Sequence, residues 1–185
     1  MMTTNIKRNL SILIAGCIMS AVTSCQEHEW DNYYGYGGET GLTLMQAMES
    51  DPNLSMFAST VRKSGFDKYL SSSQSFTVFA PDNNAMAALD IKGDTLQRFI
   101  YNHICRYTHT IGDVMEADDS LLRIKMLNGK YQNLTAINGN LVFGDIAAVN
   151  NTTGTSNGVL NTVGSIIPFY NNIYEEIKRD GQQTD

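Results

Sequence analysis

The run Phe76-Thr77-Val78-Phe79-Ala80, stopped by Pro81, constrains this chain more than any other stretch. It is short, rich in β-branched and aromatic residues, and lacks a clean polar–apolar alternation, which is the pattern of a mostly buried strand. Such a strand needs other elements packed upon it, and the flanking sequence supplies them. Upstream the signals are helical. Leu44, Met45 and Met48 suggest a short amphipathic helix. Ser50-Asp51-Pro52 offers a cap with proline in the first turn, and Leu54, Phe57, Ala58 and Val61 recur at helical spacing. Gly65-Phe66 closes that segment as a left-handed cap with a following apolar contact.

Downstream of Pro81, Asp82 and Asn83 can cap a short helix through Ala85, Met86 and Leu89. Asp94 with Gln97 resembles a capping box opening a helix whose apolar face is Leu96, Phe99, Ile100, His103 and Ile104. The remainder reads as strands. Leu122, Ile124 and Met126 alternate with Arg123 and Lys125. Asn128-Gly129 and Asn138-Gly139 are pairs favoured in type I′ hairpin turns, so residues 121–144 are expected to form a three-stranded meander. A further strand is expected over Ile146–Val149, then a polar loop 150–156. Val159, Val163, Ile166 and Ile167 indicate one or two more strands before Pro168, and a last helix carries Ile173 and Ile177 on one face. Helices in front and antiparallel strands behind define an α+β domain. Met45, Met48, Met56, Met86 and Met126 sit at core-like spacings and read as gap-filling.

The N-terminus carries a different message. Lys7 and Arg8 precede an apolar run, Leu10 to Met19, and no acidic residue occurs before Glu27. A bilayer core of about 30 Å needs roughly 20 apolar residues, so this run is a secretory signal rather than a permanent span. It ends in Ser20-Ala21-Val22-Thr23-Ser24-Cys25, small residues before a cysteine, as in the lipobox of bacterial lipoproteins. There the thiol receives a diacylglycerol and the chain is cut before it. Acyl chains, at about 0.8 kcal/mol per buried methylene, hold such a protein on the membrane. With Cys17 discarded and Cys25 lipidated, Cys105 is the lone thiol left. An exported domain with one thiol has no internal disulfide, so its core must supply the stability.

Removing Lys7 and Arg8 leaves 11 basic against 19 acidic residues, a net charge of −8. That balance, with no Lys/Arg cluster in the sequence, argues against nucleic acid as a partner. The acidic stretch Gln26 to Asp31 resembles a surface-export signal, and Tyr33-Tyr34-Gly35-Tyr36-Gly37-Gly38 reads as a tether. The organisation expected is a signal peptide over 1–24, a tether over 25–40, a folded domain over 41–169, and a helix and tail over 170–185. The place expected is the outer membrane, displayed at the cell surface or held on the periplasmic leaflet. Trp30, Tyr33, Tyr34 and Tyr36 are candidate stacking residues for sugar rings, and packing against the domain or the lipid headgroups is the plainer reading.

Phe76-Thr77-Val78-Phe79-Ala80-Pro81-Asp82-Asn83-Asn84-Ala85-Met86 resembles the first signature block of fasciclin domains. Asn157-Gly158-Val159-Leu160-Asn161-Thr162-Val163, with Ile166-Ile167-Pro168 after it, resembles the second block, and His103 falls where the family carries a Tyr-His pair. The resemblance covers residues 41–169. It implies a wedge of two β-sheets with several flanking helices, and a role in adhesion through proteins or carbohydrates rather than catalysis. Two departures stand out. Asn102 replaces the tyrosine before the central histidine, and Asn161 and Gly164 replace a histidine and aspartate of the second block. Adhesion activities tied to the Tyr-His region of animal members therefore do not carry over. The likeness is nearest in kind to single-domain fasciclin lipoproteins of bacteria with outer-membrane glycan-import systems.

The residues themselves point to no enzyme, cofactor or metal. His103, on an apolar helical face, reads as a structural, neutral histidine, and His109 lies six residues on, off that face. Cys105 is two residues from His103, which on a helix points it away. Asp118-Asp119 and Glu175-Glu176 read as solvated surface. Three functions fit: a surface-tethered interaction module, accessory to glycan import or docking on a host; a glycan-binding lipoprotein; and an adhesive matrix protein. All depend on Cys25. Replacing it, Cys25→Ala, should release or mislocalise the protein, as read by membrane fractionation and surface proteolysis. A variant that stays membrane-bound and surface-exposed would refute the lipid anchor.

Overall fold

A computed structural model of the chain describes residues 40–87, 89, 94–168 and 177. All of them belong to the compact unit Tyr34–Asp185, and none to the unit Met1–Tyr33. Cys25, Trp30, Tyr33, Tyr34 and Tyr36 lie outside the described residues. So does the last helix except for Ile177, which is helical and exposed.

Helix α1 (Leu44–Ser50) opens with a capping box in which the Gln46 N–H donates to the Thr43 hydroxyl and the Thr43 N–H to Gln46 Oε1. The Asp51 carboxylate accepts from the Asn53 N–H at 2.9 Å and starts a 3-10 turn, Pro52–Leu54. Helix α2 (Ser55–Ser64) follows and stops at Gly65, whose φ of 74° is the left-handed cap expected from the sequence. Helix α3 (Asp67–Leu70) adds one turn. The apolar faces of these helices cover one side of strand β1 (Phe76–Pro81), meeting Phe76, Val78 and Ala80. Phe79 points to the other side and stacks on Phe143, ring centroids 3.9 Å apart, within a second cluster. Every residue of β1 is buried, as its composition demanded.

Helices α4 (Asn83–Ala87) and α5 (Asp94–Asn102) lead to strand β2 (Ile104–Arg106). Helix α6 (Ile111–Glu116) precedes β3 (Leu121–Lys125), β4 (Tyr131–Ile137), β5 (Asn140–Phe143), β6 (Ala147–Thr155) and β7 (Gly158–Val163). The strands lie in the order β2-β1-β7-β6-β5-β4-β3. Among the described residues only β1 and β7 are parallel neighbours, and every other pair is antiparallel. A bridge between Cys105 and Met126 brings β2 to the end of β3, so the sheet curls into a nearly closed wedge around the Phe79 cluster. The fold is the expected α+β wedge.

Local boundaries differ from the sequence reading where tertiary pairing intervenes. The fifth helix ends at Asn102, and Ile104 belongs to β2, since His103 O accepts from the Phe79 N–H at 2.8 Å and draws the chain alongside β1. The stretch 150–155 is strand rather than loop. It pairs with β7 through a bulge near Asn150, and its polar residues cover a half-exposed face. Ile166 and Ile167 extend no strand; Ile167 is a buried plug. Asn138 and Gly139 both have positive φ (52° and 77°), whereas Asn128 does not, so only the second hairpin has the type I′ signature. Met56, expected in the core, is 42% exposed.

The β6–β7 turn ties the helices to the sheet. The Leu44 N–H donates to Asn157 Oδ1 at 2.8 Å, while Asn157 Nδ2 donates to the carbonyls of Leu70 (2.9 Å) and Ser72 (2.7 Å). Gly158, at φ 144°, presses against β1; a Cβ there would sit 1.8 Å from the Phe76 carbonyl oxygen. Gly158→Ala is therefore expected to cost at least about 3 kcal/mol, because either β1 or the turn must move. Gly139→Ala, in open space at φ 77°, is expected to cost only about 1 kcal/mol. Urea unfolding of the two variants checks this, and equal midpoints would refute the clamp.

Candidate functional site

The end of α5 places two polar side chains in the interior. His103 is fully buried. Its Nδ1 lies 3.0 Å from the Phe99 carbonyl, and its Nε2 accepts from the Ile167 N–H at 3.4 Å. An acceptor at one nitrogen and a donor at the other define a neutral ring with the proton on Nδ1. Burial, opposed by the Phe99 carbonyl, lowers its pKa from 6.5 to about 4. Phe57 and Phe99 lie against the ring, with centroids 6.2 and 4.5 Å away. A histidine held neutral and enclosed this way has no route to a substrate.

Asn102, where the family has tyrosine, is also fully buried and joins three segments. Its Nδ2 donates to the Ile167 carbonyl (3.2 Å), and its Oδ1 accepts from Asn128 Nδ2 (2.9 Å) and Gln132 Nε2 (3.2 Å). Asn161, where the family has histidine, is less well served. Its Oδ1 accepts from the Thr152 hydroxyl at 2.8 Å, but Nδ2 is buried without a partner. Cys105 lies on β2, not on a helix as the sequence suggested. Burial pushes its thiol up to about 12, against the Thr77 contacts that lower it, so the nucleophilic thiolate is not available at neutral pH. No group of three or more His, Cys, Asp or Glu among the described residues could hold a metal ion.

The surface beside these residues is different in character. Two adjoining concavities, of ≈ 470 Å³ and ≈ 300 Å³, share Arg106 and Leu127. One is walled by Tyr107, His109 and Lys125; the other by Phe66, Tyr69 and Tyr101. Phe66 stacks on Tyr69 at 5.0 Å and meets Tyr101 edge-on at 5.4 Å, which holds both tyrosines. His109 is partly buried, which lowers its pKa, while Asp113 and the Arg106 backbone oppose the shift. The structure brings together residues from α3, α5, β2 and β3 that no sequence periodicity connects. The sequence reading missed this groove; Lys125 registered only as the solvent side of a half-buried strand.

The fasciclin domain family model matches residues 52–168, and the chain belongs to that family. Among solved structures, the fold is similar to that of a FAS1 domain pair from the insect cell adhesion molecule Fasciclin I. The TM-score is 0.58 at 15% identity, covering 69% of this chain and 51% of that one. This chain therefore spans about half the length of that structure, and the likeness is one of fold. No curated protein matches the chain. Among the described residues, no helix is long and apolar enough to cross a membrane.

The buried histidine makes stability depend on pH with a definite sign. The unfolded chain takes up a proton near 6.5 and the folded chain only near 4, so acid favours unfolding across that window. The His103 contribution is intact above 6.5 and is lost as pH falls towards 4, by about 3 kcal/mol in all. In His103→Gln that slope should vanish. The stability gap between wild type and variant, from urea unfolding, should therefore shrink as pH falls from about 7 to about 4. A pH-independent gap would refute the neutral, enclosed histidine.

Proposed function

We propose that this chain is a surface-tethered, non-catalytic interaction module of the adhesion type, anchored through a lipid on Cys25. The observation that carries the reading is family membership over residues 52–168. The interior supports it, because the two side chains nearest to a catalytic pair, His103 and Cys105, are each held in their neutral form by burial. The lipobox residues Thr23-Ser24-Cys25 and the acidic stretch after them support display at the outer-membrane surface. A role in carbohydrate utilisation, as an accessory to an outer-membrane glycan-import system, rests on the likeness to bacterial single-domain members.

Such a module must meet a partner at the membrane. Affinity purification from detergent-solubilised outer membranes after mild cross-linking should recover a stoichiometric protein partner, and Cys25→Ala should lose it. Recovery of the protein alone would count against docking and in favour of direct ligand binding.

A further inference from the structure

We infer that the groove between Tyr69 and Lys125 is a binding site for a carboxylated glycan, with Arg106 at its centre. The inference rests on the reading of the domain as a non-catalytic binding module. It concerns residues quite separate from the tether aromatics.

Charge is the first argument. The chain is acidic overall, yet among the described residues the groove is lined by Arg106 and Lys125, both exposed, and by no carboxylate. Among the described residues neither cation has an ion-pair partner, whereas Arg62 is paired with Glu49. The nearby carboxylate of Asp113 is occupied, its Oδ2 accepting from the Thr110 N–H (2.6 Å) and hydroxyl (2.9 Å). Two unpaired cations flanking a concave surface on an acidic protein complement an anionic ligand, and a guanidinium forks a carboxylate with two parallel hydrogen bonds.

Aromatic presentation is the second. Tyr107 is 72% exposed and held at φ 67°, a conformation that a bulky residue adopts only when its surroundings enforce it. Those surroundings are identifiable. The Tyr107 N–H donates to the Ser75 carbonyl (3.0 Å), and the Thr77 hydroxyl donates to the Tyr107 carbonyl (2.8 Å). The strained backbone turns the ring outward beside Arg106 instead of letting it fold onto the domain. At the other end Tyr69, 51% exposed, is braced by Phe66. Preset aromatic faces lose little entropy on binding and suit the C–H face of a sugar ring.

The third argument decides against an extended peptide. Strand addition needs a free sheet edge. Here the outer edge of β2 is taken, since the Leu127 N–H donates to the Ile104 carbonyl at 2.9 Å and Cys105 bridges to Met126. Recognition in this groove must come from side chains: tyrosine faces for rings, and Arg106 and Lys125 for carboxylates.

The test uses the full lipidated protein in phosphatidylcholine nanodiscs and isothermal titration. The ligands are oligogalacturonate, alginate oligomers and hyaluronan fragments, with methyl-esterified oligogalacturonate and poly-glutamate as comparators. Saturable binding of at least one carboxylated glycan is expected, weakened about tenfold or more by Arg106→Gln and by Tyr107→Ala, and for oligogalacturonate by esterification. Lys125→Gln, on an exposed strand position, serves should either variant fail to fold. Binding by none of the three glycans would overturn the inference. So would affinity unchanged in Arg106→Gln or Lys125→Gln, and so would poly-glutamate binding as tightly, which would make the groove a site for acidic peptides. Release of new reducing ends from a bound glycan would instead defeat the underlying non-catalytic reading.

Discussion

The turn at Asn157-Gly158 is the contact on which the rest of the domain depends. One buried amide satisfies a backbone donor from α1 and two backbone acceptors, one at the end of α3 and one just after it. The adjacent glycine lets β7 lie beside β1 with no side chain between them. Without that approach the parallel pairing of β1 with β7 cannot form, and this pairing sets the layer on which both hydrophobic clusters are built. Buried polar groups are worth most when their donors and acceptors are matched, and Asn157 uses both amide protons and accepts at its oxygen.

The two asparagines that depart from the family pattern behave differently under the same rule. Asn102 has partners at both amide atoms: it ties α5 to the β3–β4 hairpin and to the segment around Ile167. Together with His103 it pins that segment, by the Asn102 amide on the Ile167 carbonyl and by the Ile167 N–H on His103 Nε2. Asn161 leaves one amide nitrogen unmatched. Exchanging its oxygen and nitrogen would still leave one atom without a partner, since Thr152 is its only one. An unpartnered buried amide costs about 1–3 kcal/mol, so the second substitution weakens the β6–β7 face where the first reinforces the closure of the wedge.

On the function proposed here, anchor and groove act together. A domain held by a short tether samples a thin layer next to the membrane, so its effective concentration towards a partner or glycan in that layer is far above its bulk value. Modest intrinsic affinity then suffices, which suits an open groove of tyrosine faces and two cations. The interior contributes rigidity rather than chemistry, and its titratable groups are neutral because burial penalises their charged forms.

Much of the fold was legible because it follows from short-range rules. The Asp51-Pro52 start, the Gly65 stop and the Asn138-Gly139 turn are local demands on φ and on unpaired backbone groups, and the structure meets each of them. The buried character of Phe76–Pro81 followed from composition alone. The two signature blocks identified the family without reference to any contact. What the sequence could not settle depends on partners distant in the chain. Ile104–Arg106 is a strand only because β1 lies beside it, and residues 150–155 are a strand only because β7 does. The groove joins Tyr69, Tyr101, Arg106 and Lys125 from four elements. By itself the sequence determined the class of fold and its punctuation, and it carries the lipobox pattern on which the proposed anchor rests, since these depend on neighbours in the chain. Only the tertiary structure decided which polar groups are satisfied and which cations face a cavity, because both depend on what the closing wedge brings within hydrogen-bonding distance.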